Sequence, residues 1–248
     1  MRNHKHVVPL FFDYRDGPKF SAAVNGIIEN VPGGLYAADN LITWSRNLGF
    51  FDDPDFMAAA GKHVTQTVEH GTLWRAHTLC WAARQGMRLE GDLVECGTYR
   101  GTSAAIIADY VSLADSGKGM WLYDLFEHKG ETTHHAMPDH GAGLHDFVRN
   151  RFAQLPTVRI IKGYVPHSFE QGIPDKICFL HIDMNNVEAE IGALDHLWER
   201  VSSGAVVVFD DYGWLAYRAQ KQAEDAWLKR YGVQVLEMPT GQGLVIKP

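Results

Sequence analysis

Apolar and polar positions follow different patterns before and after residue 90. Up to that point, turn signals alternate with two segments, 39–50 and 55–85, in which apolar residues recur at roughly helical spacing. Beyond it, short apolar runs alternate with helical segments. We therefore predict a helical extension over residues 1–90, with one helix at 39–50 and one or two at 55–85. A separate α/β domain is predicted over residues 91–248.

The α/β domain is predicted to hold a seven-stranded sheet. The predicted strands are 92–96, 120–124, 158–162, 176–182, 204–209, 233–237 and 243–247, and the predicted helices are 102–113, 145–153, 187–200 and 215–231. Strands that alternate with helices form a parallel sheet. Only residues 238–242 separate the last two strands, which is too short for a parallel crossover, so these strands must form an antiparallel hairpin. A mostly parallel sheet with such an ending is expected of the Rossmann-like class I fold of S-adenosylmethionine (SAM) methyltransferases.

The loop after the first predicted strand has the pattern Glu-x-Gly-x-x-x-Gly, from Glu95 to Gly101. Ligands of open α/β sheets bind at the carboxyl ends of the strands. Gly97 permits a tight turn, and Gly101 lets the backbone approach a ligand closely. Thr102 and Ser103 can hold a carboxylate at the helix N-terminus, and Glu95 suits an amino group. SAM carries both groups, so we predict a cofactor site; the alternative is a purely structural turn.

Further cofactor contacts are predicted in the loops after the first three strands. Asp124 ends the second strand, where a carboxylate can accept both hydroxyls of a ribose; the alternative is a solvated acid at a strand end. Tyr99, Phe126 and Gly163 complete the predicted cofactor-binding set.

Three aspartates follow the fourth and fifth predicted strands. Asp183 follows the fourth, and Asp210 and Asp211 follow the fifth. If these strands are neighbours, the carboxylates converge and repel one another unless a cation such as Mg²⁺ binds them. The alternative is that one of the last two caps the next helix. His181 and Asp183 with a distant histidine also match the facial triad of non-haem iron oxygenases, but those sites sit in antiparallel barrels.

These motifs together resemble a known family. Residues 91–104 (GDLVECGTYRGTSA), with His-Ile-Asp183 and Asp210-Asp211-Tyr212, look like the macrocin/mycinamicin O-methyltransferases (TylF/MycF-like), which include novobiocin-pathway sugar methyltransferases. The resemblance covers about residues 90–248. It implies a SAM- and Mg²⁺-dependent enzyme that methylates a sugar hydroxyl of a natural product. It also implies SAM contacts near the glycine loop and Asp124, and metal ligation by Asp183, Asp210 and Asp211.

The chain departs from the family pattern in two places. After the fourth strand the family usually has Asp-Gly-Asp-x-Tyr, whereas this chain has Asp183-Met-Asn-Asn-Val187 and lacks the second acid. After the second strand the family tends toward Asp-Ser-Phe-x-Gly-Leu-Pro, whereas this chain has Asp124-Leu-Phe-Glu-His-Lys-Gly130. Both departures lie near where an acceptor would bind.

A long histidine-rich connection follows the second predicted strand. Five of the 13 histidines lie in segment 128–145. A histidine beside the cofactor could deprotonate an acceptor hydroxyl, because its pKa is near neutrality. The predicted candidates for this base are His134, His135 and His140, with Asp183 as an alternative. The histidines could instead form a solvated loop or a site for a softer metal, although their spacing matches no zinc signature.

Composition and charge narrow the range of partners. The chain has 23 Lys and Arg against 30 Asp and Glu, a net charge of −7, so it lacks the broad basic surface that nucleic acids and anionic membranes attract. Its three scattered cysteines favour a reducing compartment. The N-terminus lacks an apolar signal core, and no apolar run reaches the ~20 residues of a membrane span. We therefore expect a cytoplasmic protein.

The sequence as a whole predicts a SAM-dependent O-methyltransferase, with Mg²⁺ on the three aspartates. The expected acceptor is a small molecule, either a sugar or a glycosylated natural product. The extension over residues 1–90 would supply a lid, an acceptor wall or a dimer contact, and a homodimer is expected. Two rivals remain. One is a nicotinamide-dependent sugar-modifying enzyme, whose Gly-x-Gly-x-x-Gly loop is absent; the other is a non-catalytic SAM-binding scaffold, supported by the missing second acid.

Overall fold

The computed structural model describes residues 3–7, 14–31, 33–127 and 137–248. The chain divides into two compact units, one ending at His77 and one running from Thr78 to Pro248. The division falls within helix α4 (Leu73–Gly86) rather than after residue 90. The role predicted for the N-terminal extension stays a prediction.

The first unit combines helices with a small sheet that the sequence analysis did not predict. Its helices are α1 (Gly17–Asn30), α2 (Pro54–His63), α3 (Thr67–Gly71) and the start of α4, and its strands are β1 (His4–His6), β2 (Tyr36–Ala38) and β3 (Leu41–Thr43). Strand β2 lies between the other two, parallel to β1 and antiparallel to β3. The predicted helical segment 55–85 contains three helices rather than one or two.

The predicted helix over residues 39–50 is wrong. This segment contains β3 and a 3₁₀ helix that begins at Gly49. Asp39 and Asn40 have φ angles of 51° and 53°, and they form the two-residue connection between β2 and β3. Asp and Asn tolerate this left-handed conformation, which type I′ hairpin turns require at both central positions. The Asp-Asn pair is therefore the local signal that outweighs the helical spacing.

A buried ion pair ties this hairpin turn to helix α4. Arg75 Nη2 donates to Asp39 Oδ1 over 2.7 Å, and Arg75 Nε donates to Asp39 Oδ2 over 3.2 Å. The arginine side chain is 10% exposed and the aspartate side chain 2%. The two parallel hydrogen bonds satisfy a carboxylate that would otherwise be costly to bury.

The second unit contains the predicted seven-stranded sheet. Its strands are β4 (Asp92–Cys96), β5 (Met120–Asp124), β6 (Val158–Lys162), β7 (Ile177–Ile182), β8 (Val201–Phe209), β9 (Leu236–Glu237) and β10 (Gly243–Ile246). Their order across the sheet is β6-β5-β4-β7-β8-β10-β9, and β10 is antiparallel to both of its neighbours while the other pairs are parallel. The predicted parallel sheet with a terminal antiparallel hairpin is confirmed.

Helices connect the parallel strands of this sheet. They are α5 (Thr102–Tyr110), α6 (Leu144–Arg151), α7 (Val187–Leu197) and α8 (Arg218–Leu228). Short 3₁₀ helices account for the remaining residues of the predicted helices 187–200 and 215–231. No helix within the described ranges has both the length and the apolar character needed to cross a bilayer.

The sheet has one topological switch point, between β4 and β7. From β4 the chain proceeds outward to β5 and β6, and it then returns to β7 on the opposite side of β4. All six residues of β7 are buried, as expected of a central strand that is covered on both faces. The loops after β4 and β7 separate at this point, and ligands of open α/β sheets bind there. The predicted site residues are concentrated in the loops around it.

We expect the Arg75→Met substitution to lower the free energy of unfolding by about 3 kcal/mol, because it leaves the Asp39 carboxylate buried without its cation. Urea unfolding monitored by circular dichroism measures the change. The matched control is the double variant Asp39→Asn/Arg75→Met, which removes both charges and should recover much of the loss. A double variant no more stable than the single one would show that the ion pair is not the source of the effect.

Candidate functional site

The loops after β4 and β7 make a close backbone contact at the switch point. Asp183 N donates to Cys96 O over 2.8 Å, and Gly97 N donates to Tyr123 O over 2.8 Å. Gly97 has a φ of 95°, and a Cβ at this position would lie 1.7 Å from Asp183 O. Glycine is therefore required for two reasons: its left-handed conformation and the space that the Asp183 carbonyl occupies.

The end of this glycine loop forms the N-terminus of helix α5. Gly101 is the N-cap residue with a φ of 70°, and Thr102 and Ser103 lie in the first turn. Arg151 Nη1 donates to Thr102 Oγ1 over 3.0 Å. The exposed amide groups of a helix N-terminus attract anions, and Arg151 adds a positive charge beside them. This end of α5 therefore suits a carboxylate.

Asp124 organises the loops in which the other predicted cofactor residues lie. Its Oδ2 accepts from Tyr99 N over 2.6 Å, and its Oδ1 accepts from Phe126 N over 2.5 Å. Gly163 N donates to the carbonyl of Asp124 over 2.9 Å. The structure thus brings Tyr99, Phe126 and Gly163 together around Asp124. Each carboxylate oxygen has more than one lone pair, so the predicted ribose contact stays compatible with these bonds.

Of the three histidines predicted as bases, His134 and His135 lie outside the described residues. His140 lies beside Asp124, with Nε2 3.7 Å from Asp124 Oδ1. Its Nδ1 accepts a hydrogen bond from Met137 N over 2.9 Å. Because Nδ1 accepts, the neutral ring carries its proton on Nε2, which faces Asp124. The distance to Asp124 is longer than a hydrogen bond, and the role of His140 as a base stays a prediction.

The predicted metal ligands are only partly brought together. His181, Asp183 and Asp210 each offer one ligand atom, and these atoms all lie within 4.8 Å of one another. Two of the three predicted aspartates belong to this group. Asp211, which is buried at 4% exposure, does not belong to this group. The two carboxylates are ligands that suit a hard divalent cation such as Mg²⁺.

His181 lies between two buried carboxylates. Its Nδ1 is 3.0 Å from Glu95 Oε1, and its Nε2 is 3.4 Å from Asp210 Oδ1. Burial alone would lower the pKa of His181, but its interactions with Asp210 and Glu95 outweigh burial and raise that pKa to about 10. Because both ring nitrogens are directed at carboxylates, His181 is placed as an ion-pair partner of Glu95 and Asp210 rather than as a metal ligand.

Glu95 retains one carboxylate oxygen for a ligand. Its Oε1 contacts His181, whereas its Oε2 is buried and has no hydrogen-bond partner among the described residues. Leaving a buried charged oxygen unpaired is costly. A donor supplied by a ligand, such as an amino group, would remove that cost, so the residue fits the amino-acid end of SAM.

A pair of buried glutamates supports the segment after β7. Glu190 Oε1 accepts from Met184 N over 3.3 Å and from Gln220 Nε2 over 2.8 Å. Burial and the charge of Glu224 raise the pKa of Glu190 well above its usual range. Burial, with Asp225 and Asp211 nearby, likewise raises the pKa of Glu224 to about 7. Glu190 thereby holds the backbone directly after Asp183.

Sequence reasoning missed Gln242 and Thr240. Gln242 Nε2 donates to Asp210 Oδ1 over 2.8 Å, and Thr240 Oγ1 donates to Gln242 Oε1 over 2.9 Å. The sequence carries a partial signal, because Gln242 comes directly before the second strand of the predicted hairpin. In the structure that strand, β10, lies beside β8, which ends before Asp210. Gly243 pairs with Phe209 in the antiparallel register, so the residue before Gly243 lies opposite the residue after Phe209.

The strand order and the loops at its switch point define a Rossmann-like class I methyltransferase fold. The structure described as the O-methyltransferase NovP is similar with a TM-score of 0.62 at 16% identity, covering 80% of this chain and 98% of that one. The calicheamicin methyltransferase CalS11 is similar with a TM-score of 0.59 at 12% identity, covering 95% and 94% of the two chains. These similarities confirm the predicted fold.

The sequence matches the model of the macrocin-O-methyltransferase (TylF) family over residues 80–234, more than half of its length. The chain therefore belongs to that family, as its motifs predict. A curated relative from Streptomyces olivaceus is 8-demethyl-8-(2,3-dimethoxy-alpha-L-rhamnosyl)-tetracenomycin-C 4'-O-methyltransferase, which is 28% identical over 160 residues. The match covers 58% of this chain and 60% of the relative, so the chain matches about three fifths of that relative's length.

We expect the Gly97→Ala substitution to lower the free energy of unfolding by at least about 3 kcal/mol, because left-handed strain adds to overpacking against Asp183. Gly117→Ala is the matched control, since Gly117 also has a positive φ, of 72°, but has no atom within 4 Å of the added Cβ. It should cost only about 1–2 kcal/mol. Thermal unfolding of both variants measures the difference, and equal losses would refute the close-approach argument.

Proposed function

We propose that this protein is a SAM-dependent O-methyltransferase that methylates a hydroxyl of a sugar, free or attached to a natural product, with a divalent cation at Asp183 and Asp210. The observation that carries the proposal is the buried Glu95 Oε2, which lacks a partner among the described residues at the switch point where the two aspartates also lie. A cationic amino-acid ligand and a cation are the species that this concentration of carboxylates favours.

The relatives support the acceptor class. The curated relative is named for methylation of a rhamnosyl group on tetracenomycin. A second structure of CalS11, with a TM-score of 0.56 at 12% identity, is described as a TDP-rhamnose 3'-O-methyltransferase. Membership of the TylF family, like the absence of a Gly-x-Gly-x-x-Gly loop, counts against a nicotinamide-dependent enzyme.

In the proposed complex each cofactor group has a matching protein group. Glu95 Oε2 accepts from the amino group, the N-terminus of α5 binds the carboxylate, and Asp124 accepts from the ribose. When bound, SAM supplies the methyl group and leaves as S-adenosylhomocysteine. The protein contributes mainly by positioning the acceptor oxygen in line with that methyl group.

In the proposed reaction the acceptor hydroxyl gives its proton to Asp183. Asp183 is partly exposed, whereas Asp210 is buried. We assign Asp183 as the base: the acceptor hydroxyl gives its proton to one carboxylate oxygen while the acceptor oxygen forms its bond to the methyl carbon. A divalent cation held by Asp183 and Asp210 would supply positive charge that favours the ionised hydroxyl. The predicted homodimer and cytoplasmic location remain further expectations.

Calorimetric titration with S-adenosylhomocysteine, in Mg²⁺ buffer and in EDTA, tests the cofactor assignment directly. We expect binding in both buffers, and methyl transfer to a rhamnosylated acceptor only with Mg²⁺. Asp183→Asn should retain S-adenosylhomocysteine binding but lose activity on the order of 100-fold or more, since both the base and a ligand are removed. The control is Asp175→Asn, because the Asp175 side chain is fully exposed, at 105%.

Three other results would count against parts of the proposal. If neither SAM nor S-adenosylhomocysteine bound in either buffer, the cofactor assignment would be lost. If the cofactor bound but no acceptor were methylated and no cation bound, the non-catalytic scaffold would replace the enzyme. Full activity of Asp183→Asn would exclude Asp183 as the base.

A further inference from the structure

We propose that Gln242, in the turn before β10, is a positioning residue that fixes the Asp210 carboxylate for cation binding, and that Thr240 fixes Gln242. This inference rests on the proposed cation site. Gln242 is completely buried, at 0% exposure, and Asp210 is 4% exposed. A buried amide is costly unless it is hydrogen-bonded, and the amide nitrogen of Gln242 is bonded to Asp210.

Two groups approach the same oxygen of Asp210 from different elements. Gln242 Nε2 lies 2.8 Å from Asp210 Oδ1, and His181 Nε2 lies 3.4 Å from that oxygen. One group comes from the C-terminal turn and the other from β7. The hydrogen bond from Gln242 restricts rotation of the carboxylate, whereas His181 lies beside the same oxygen as an ion-pair contact without a hydrogen bond. Removing a hydrogen bond that orients a metal ligand typically costs about 10–100-fold in metal affinity.

The orientation of the Gln242 amide is itself determined. Thr240 Oγ1 donates to Gln242 Oε1 over 2.9 Å. Because the hydroxyl donates to the amide oxygen, the amide nitrogen is directed toward the carboxylate. A reversed amide would place two oxygens against each other at Asp210 and would lose the hydroxyl as a donor.

The turn that carries Gln242 is anchored on both sides. Within the turn, Met238 N donates to Gln242 O over 2.7 Å and Gly241 N donates to Met238 O over 2.9 Å. Gly213 N donates to Gly241 O over 2.7 Å, which ties the turn to the segment directly after the Asp210-Asp211 pair. The C-terminal hairpin therefore does more than complete the sheet: its turn supports the candidate cation site.

The test compares Mn²⁺ affinity with cofactor affinity. Mn²⁺ binding to the protein saturated with S-adenosylhomocysteine is measured by electron paramagnetic resonance, and S-adenosylhomocysteine binding is measured by calorimetry. Gln242→Met keeps the side-chain length but removes the donor. We expect it to weaken Mn²⁺ binding roughly 10–100-fold and to change S-adenosylhomocysteine affinity by less than twofold. A general structural defect would weaken both.

Thr240 provides a second, milder pair of variants. Thr240→Val removes the hydroxyl at nearly constant volume and should weaken Mn²⁺ binding several-fold, whereas Thr240→Ser keeps the hydroxyl and should bind Mn²⁺ as the wild type does. This pair decides the question if Gln242→Met fails to fold.

The outcomes separate the inference from the function on which it rests. Wild-type Mn²⁺ affinity in both Gln242→Met and Thr240→Val would overturn the positioning role while leaving the cation site in place. Parallel loss of Mn²⁺ and S-adenosylhomocysteine affinity in Gln242→Met would also overturn it. If the wild-type protein bound S-adenosylhomocysteine but no Mn²⁺, the cation part of the proposed function would be lost and the inference with it.

Discussion

The ion pairs of His181 with Glu95 and Asp210 are the interaction on which the rest of the site depends. They join three adjacent strands, because Glu95 is in β4, His181 is in β7 and Asp210 directly follows β8. All three side chains are buried, so each charge must be compensated inside the protein. One imidazole lies between two carboxylates, so acidic side chains outnumber basic ones at the switch point, and Asp183 adds a further carboxylate. The sheet thereby presents a region of negative potential that favours positively charged ligands.

This charged centre requires close-packed and closely bonded loops around it. At Gly97 the backbone of one loop contacts the backbone of the next without an intervening side chain, so the two loops hold a fixed separation. Asp124 has a similar function one strand away, since its carboxylate accepts amide hydrogens from Tyr99 and Phe126. Both residues have positive φ angles, which cost energy unless the surrounding structure maintains them. The cofactor region is consequently organised by backbone bonds as much as by side chains.

The sequence predicted the fold well but the contacts of the site only in part. Each strand of the large sheet is a short apolar run bounded by turn residues, and that local pattern is sufficient to locate it. The helix predicted at 39–50 was wrong because spacing alone does not register the conformational preference of Asp39 and Asn40. The contact between Glu95 and His181 depends on the register of β4 against β7, in which these two residues are paired. Register is a property of the assembled sheet, so no local pattern could have shown it.

This chain has Asn185 where the family motif Asp-Gly-Asp-x-Tyr has its second acid. The replacement limits which residue can act as the base. Asn185 occupies the left-handed region, with a φ of 55°, a conformation that asparagine tolerates. Its Oδ1 is buried and has no hydrogen-bond partner among the described residues. An amide oxygen can accept a hydrogen bond but does not take up a proton near neutral pH. Asp183 is then the one carboxylate of the segment 183–186. In the proposed reaction Asp183 therefore both accepts the proton and binds the cation.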